Sequence, residues 1–245
     1  NDRFDRVWLA PNLLDIASVW VTPRDIQGHL ALELRNNLLE PGNRILKRAA
    51  DIALALLILP LALPVMVGIA VWIRTSGPGP VLISQERVGR GGRRFRILKF
   101  RTMHPDAPQL LDELLERDPD ARAEWEASRK LRNDPRVTRP GRFLRRSSLD
   151  ELPQLFNILA GHMSFVGPRP VMDDEVERYY GRSAHLYTRL APGLTGLTQV
   201  SGRSELSYDE RVRLDAYYVR NWSIWLDLVI LGRTLAAVFS GRGAF

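Results

Sequence analysis

Residues 52–73 read IALALLILPLALPVMVGIAVWI, 22 positions without a charge. As a straight helix they would span about 33 Å, enough to cross the hydrocarbon of a bilayer. Two features argue against a simple crossing. Pro60 and Pro64 lie near the middle, and each removes a backbone donor and tends to bend a helix. Lys47 and Arg48 precede the run and Arg74 follows it, so the cytoplasmic bias of basic residues applies to both ends. A segment that enters and leaves on one side satisfies both facts. A core helix of a soluble protein rarely stays uncharged for so long. The expectation is a monotopic membrane protein whose re-entrant helix hairpin is hinged at Pro60 and Pro64.

Outward from this run, the chain has 245 residues, 35 Lys plus Arg against 28 Asp plus Glu, a net charge of +7, and no Cys. Length and apolar content suffice for a real core. The absence of Cys excludes disulfide scaffolds, Cys-ligated zinc and thiol catalysis. The charge is uneven. Residues 105–128 hold eight acids and two bases, a balance of −6 that leaves +13 for everything else. The acidic stretch reads as a solvated helix at 108–130, and the basic blocks on either side of it invite anionic partners. No nucleic-acid module is visible, and nucleic acid is set aside as a partner. The chain starts at Asn1 with no leader pattern, as a piece of a longer protein would.

The coarse reading is α+β and mainly helical. VLISQERVG and RRFRILKFRTM, separated by Arg90, Gly91 and Gly92, predict a small β-hairpin. LPQLFNIL carries a helical stripe and YDERVRLDAYYVRN (208–221) is again helical. NWSIWLDLVILGRTLAAVF (221–239) is apolar apart from Asp227 and Arg233 and opens with Trp222 and Trp225. Such a segment suits an amphipathic helix lying in the membrane interface, with an ordinary core helix as the alternative.

Asp150 and Glu151 form the sharpest candidate pair. Ser148-Leu149-Asp150-Glu151 fits a capping box, with Ser148 as cap. With Asp150 as cap instead, Pro153 falls where its missing N–H is harmless. A helix N-terminus and the nearby Arg145 and Arg146 would hold such a carboxylate ionised. An ionised carboxylate beside phosphate-binding donors can act as nucleophile, metal ligand or both. Spacing alone favours the capping role. Arg169, fixed between Pro168 and Pro170, presents a guanidinium at low entropic cost. Lys99, Arg101 and Arg203 are further phosphate candidates. The His residues show no metal-ligand spacing.

Five blocks, KRAADIALALLILPLALPV, ILKFRTM, SSLDELPQLFNILAGHMSFVGPRP, PGLTGLTQVSGR and LDAYYVRN, together resemble the bacterial sugar transferases, the monotopic phosphoglycosyl transferases. The resemblance covers about residues 45–240, and its long branch is that of undecaprenyl-phosphate galactose phosphotransferase. It implies transfer of a hexose-1-phosphate from a UDP-hexose to undecaprenyl phosphate, with release of UMP, at the cytoplasmic face of the bacterial inner membrane. This step would begin synthesis of a surface polysaccharide.

By the same resemblance, Asp150 and Glu151 are the catalytic dyad and hold Mg²⁺, with Asp150 the nucleophile that forms an aspartyl-phosphosugar. Lys99, Arg145, Arg169 and Asp215 match the family's substrate positions. Residues 1–42 match the end of an accessory domain with its linker, 43–80 the re-entrant helix, and 81–245 the cytoplasmic catalytic domain. Membrane lipids are expected partners, and a homodimer is left open. The chain departs from the family at Leu63, where Ser often precedes the hinge proline, and Pro60 supplies a second hinge.

Overall fold

The computed structural model describes residues 21–27, 29–34, 40–128, 131, 134–202 and 206–240. A two-stranded antiparallel hairpin, β1 (Val21–Ile26) and β2 (His29–Leu34), precedes the helical part. The element that organises the rest is α1 (Pro41–Thr75), a helix of 35 residues with Pro41 in its first turn. At 1.5 Å per residue it is about 52 Å long. The helix is assigned without interruption through Pro60 and Pro64, so the expected hinge lies inside one helix and is not a turn between two. The carbonyls that lose their usual N–H partners are those four residues earlier, of Leu56 and Pro60.

One stripe of α1 is buried: Asp51, Ala55, Ala62, Met66, Ile69 and Ile73, spaced by threes, fours and a seven as a single helix face requires. The opposite face exposes Leu56, Leu57, Leu61, Leu63, Val65, Val67 and Val71. Among the described residues, α1 is the helix long and apolar enough to cross a membrane, and only 22% of its most apolar window is buried. A contiguous apolar surface of this size is a hallmark of an interaction with lipid or another protein.

Both ends of α1 are tied to the same body. Near the start, Lys47 pairs with Asp227 at 2.7 Å, and Arg48 donates to the carbonyls of Ile158 and Leu159. Asp51 accepts from Ser164 Oγ and the Phe165 N–H, both at 3.0 Å. At the far end, Arg101 donates to the carbonyls of Ile73, Gly77 and Pro78. Gly79, at φ +105°, leaves the space that guanidinium fills, since a Cβ there would stand 2.1 Å from Arg101 Nη1.

The body is mainly helical. Strands β3 (Leu82–Val88) and β4 (Arg94–Phe100) form the expected antiparallel hairpin, in the register Leu82↔Phe100 to Val88↔Arg94. The acidic stretch is two helices, α2 (Ala107–Arg117) and α3 (Pro119–Ser128), broken at Asp118–Pro119. Helix α4 (Arg139–Ser147) is capped by Thr138, whose Oγ1 accepts from the Gly141 N–H. After α5 (Gln154–Leu159), β5 (Ser164–Val166) pairs in parallel with β6 (Gly193–Thr195).

Three short helices, α6 (Asp173–Glu175), α7 (Ala184–Tyr187) and α8 (Leu197–Val200), fill the loops around this pair. Helices α9 (Tyr208–Asn221) and α10 (Ile224–Ser240) close the chain. The core joins Phe95, Ile97 and Phe100 of β4 to Leu144, Leu155, Ile158, Tyr218 and the buried stripe of α1. On α10, Trp225, Leu228, Val229 and Leu235 stay exposed, which continues the apolar surface theme of α1.

Candidate functional site

The candidate site is built where β4, α4 and the turn before α5 meet. Asn157 of α5 holds β4 by accepting from the Leu98 N–H at 3.0 Å and donating to the Arg96 carbonyl at 2.8 Å. That clasp sets the 3₁₀ turn Leu149–Glu151 against the next residue of the strand, and Lys99 Nζ reaches Glu151 Oε1 at 2.7 Å. From the other side α4 approaches so closely that a Cβ at Gly141 would stand 1.9 Å from the Thr102 carbonyl. The same approach lets Arg145 Nε donate to Thr102 Oγ1 at 2.9 Å.

These groups line a cleft of about 570 Å³ that also takes in Pro80, Ile83, Gln85, His104 and Ser148. It opens beside the far end of α1, where Arg101 binds the last carbonyls.

Within the dyad the two acids differ. Glu151 is clamped by Lys99. Among the described residues, no side chain bonds to the Asp150 carboxylate, which interacts with its own backbone N–H. Burial pushes the Asp150 carboxyl up to about 6, and the charge of Glu151 pushes the same way, against Lys99 and Arg145. Near neutral pH it is still about nine-tenths ionised. Burial also pulls the Arg145 guanidinium below its ordinary value, while Asp134 and Asp150 hold it up.

The helix-terminus expectation is therefore corrected. Ser148 sits in the left-handed region and makes no capping bond, and Pro153 occupies the cap of α5. Neither capping register forms, and burial next to Glu151 opposes ionisation of Asp150 more than the neighbouring cations favour it.

The structure thus brings together Lys99, Arg145, Asp150 and Glu151. Arg101 lines the same cleft, but its guanidinium is spent on three carbonyls of the α1 terminus. Arg169 and Asp215 belong to a neighbouring cluster. Asp215 is 3% exposed, accepts from Tyr180 Oη at 2.8 Å and receives the Arg169 backbone N–H. Burial raises its carboxyl to about 7. The Arg169 side chain is exposed and stands near Arg87, which is bonded to Gln85 Oε1 of the cleft wall. Arg203 lies outside the described residues.

Sequence reasoning singled out neither Thr102, although it lies within the ILKFRTM block, nor Gln85, which belongs to none of the five blocks. It also missed Asp51 and Asp227, whose signal was an isolated acid next to or within an apolar run.

Magnesium is held by few protein oxygens, one or two carboxylates completed by water and substrate phosphates. The adjacent Asp150 and Glu151 offer that donor set, and their mutual repulsion is what a cation would relieve. Among the described residues there is no group of three or more His, Cys, Asp or Glu that could hold a metal without substrate.

A largely buried carboxylate flanked by Lys99 and Arg145, in a cleft beside one end of an apolar helix, is an arrangement chemically suited to phosphate-bearing ligands. The bacterial sugar transferase family model matches residues 42–241, and the chain belongs to that family.

The chain is 48% identical over 216 residues to a UDP-galactose-lipid carrier transferase of Erwinia amylovora, covering 88% of this chain and 45% of that protein. It is 48% identical over 217 residues to an undecaprenyl-phosphate galactose phosphotransferase of Salmonella typhimurium, with coverage of 88% and 45%. It is also similar to the exopolysaccharide production protein ExoY of Rhizobium meliloti, 47% identical over 205 residues, 84% of this chain and 90% of that one. The chain spans about half the length of the first two.

Proposed function

We propose that the protein transfers a hexose-1-phosphate from a UDP-hexose to undecaprenyl phosphate, releasing UMP, in two steps through Asp150. An Asp150 oxygen attacks the β-phosphorus of the donor. The bond from that phosphorus to the bridging oxygen breaks, and UMP leaves with the bonding pair. A phosphate oxygen of the lipid acceptor then attacks the same phosphorus and releases the Asp150 carboxylate. The observation that carries this reading is the asymmetry of the dyad: Glu151 is clamped by Lys99, and among the described residues no side chain bonds to the Asp150 carboxylate. A raised carboxyl that remains mostly ionised near neutral pH suits a nucleophile, because a more basic oxygen attacks better.

Lys99 and Arg145 face the cleft and would neutralise the diphosphate. Arg169 would meet the nucleotide from beyond Gln85, and Asp215 would act through it, by holding the Arg169 N–H. Mg²⁺, held by Asp150 and Glu151, would offset the charge gathering on the diphosphate and the departing UMP.

The re-entrant topology belongs to the same proposal. Lys47 at one end of the apolar helix and Ile73 at the other are bonded to one polar body, which supports a reading in which both ends lie on one face of a membrane. With this topology the enzyme sits on the cytoplasmic face of the inner membrane and starts a surface polysaccharide. Residues 1–42 would end an accessory domain of the longer relatives.

The test is incubation with UDP-hexose labelled in the sugar, without lipid acceptor. Label should remain on the protein after denaturation, be chased by undecaprenyl phosphate, and be absent in Asp150→Asn. Transfer in that variant at the wild-type rate would falsify the covalent route.

A further inference from the structure

At the start of α1, away from the Asp150 cleft, two turns are pinned together. The Gly91 N–H of the β3–β4 turn donates to the Thr188 carbonyl after α7 at 2.6 Å. This bond sets Arg90 and Arg189 at one cavity of about 120 Å³, which Arg44, Lys47, Arg48 and Asp51 also line. The other charges there are committed: Lys47 to Asp227, Arg48 to two carbonyls, Asp51 to Ser164 and Phe165.

Among the described residues, Arg90 and Arg189 have no carboxylate partner. Both are exposed. Burial first, and then the charges of Arg90 and Arg189, press the Arg44 guanidinium below its ordinary value. Arg90 and Arg189, brought to one cavity by the fold, repel each other and favour an anion between them.

The place of the cavity indicates what kind of anion. Arg44 is followed at once by Ile45 and Leu46, which are 70% and 52% exposed, and the outward apolar face of α1 resumes at Leu56, about three turns further on. The cavity therefore lies at the level where a polar surface gives way to an apolar one. Its lining shares no residue with the Asp150 cleft.

We propose that this pocket binds the phosphate of an anionic membrane lipid, whose acyl chains lie along the exposed face of α1. The phosphate chemistry stands by itself; its assignment to a lipid rests on the membrane-seated reading of α1.

The full chain in neutral detergent is titrated by equilibrium dialysis with short-chain phosphatidylglycerol and, separately, with glycerol 1-phosphate. The expected result is saturable lipid binding that Arg90→Ala with Arg189→Ala weakens tenfold or more, with glycerol 1-phosphate much weaker. UMP release in the same detergent should be unchanged in that variant, and Lys99→Ala should leave lipid binding intact. Glycerol 1-phosphate binding as tightly as the lipid, through the same arginines, would overturn the lipid assignment. Lipid binding indifferent to both arginines would overturn the site. Arginine-dependent lipid binding without any UMP release would sustain the site while the transfer reading fell.

Discussion

Replacing Asp150 by Asn should make the protein more stable at alkaline pH. The structure raises the carboxyl from 3.8 to about 6, about two units, each worth about 1.4 kcal/mol. A raised carboxyl means that the folded state binds its proton more tightly than the unfolded chain does. Below pH 3.8 the group is neutral in both states and contributes nothing. Between 3.8 and 6 the unfolded chain ionises first, so stability falls as pH rises. Above 6 the full penalty of about 3 kcal/mol is present, and Asp150→Asn lacks it.

For a chain of this size that corresponds to an apparent Tm gain of about 6–12 °C at pH 8, shrinking to about 2 °C at pH 4. The assay is thermal unfolding of wild type and variant in one detergent at both pH values. Equal Tm at pH 8, or a gain as large at pH 4, would refute the claim that burial and Glu151 destabilise the Asp150 carboxylate. The variant would gain stability at the cost of the proposed nucleophile, a familiar exchange at reactive sites.

The same carboxyl should give kcat/KM an acid limb near pH 6, and Glu151→Gln should move that limb lower, because Glu151 raises the Asp150 carboxyl; a limb that moves higher or stays would contradict the geometry. Lys47→Met leaves Asp227 buried without its cation and should cost about 3 kcal/mol or more, read as apparent Tm. Asp227→Asn in the same chain should restore most of the loss, and no recovery would mean that the pair is not the cause. The chain has no Cys, so Glu40→Cys and Thr75→Cys report the two ends of α1 cleanly. In intact cells neither should react with an impermeant maleimide until the membrane is opened, and labelling of one end alone would restore a true span.

How much was legible beforehand varied with the range of the interaction. The β3–β4 hairpin followed from two alternating runs around Arg90-Gly91-Gly92, and α9 from its helical period, because both depend on local spacing. The acidic helix was foreseen as one piece, and Asp118–Pro119 divides it. Helix α4 was missed, since its basic residues gave little apolar periodicity and its Thr138 cap resembles any loop threonine. At the site, the pairing of Lys99 with Glu151 joins residues 52 apart, a relation that no local pattern encodes.

The sequence by itself determined the apolar run, the basic flanks, the Asp150-Glu151 pair and, through five ordered blocks, the family. These properties are written in composition and short-range order. Only the tertiary structure decided which arginine does what. Arg101 closes the end of α1, Arg145 faces the cleft, and Arg169 stands in a neighbouring cluster with Asp215. It also decided that Asp150 is held back from ionising, where a helix terminus would have helped. The physical reason is that desolvation and charge–charge terms depend on distance through space, and those distances exist only once α1, β4 and α5 have packed.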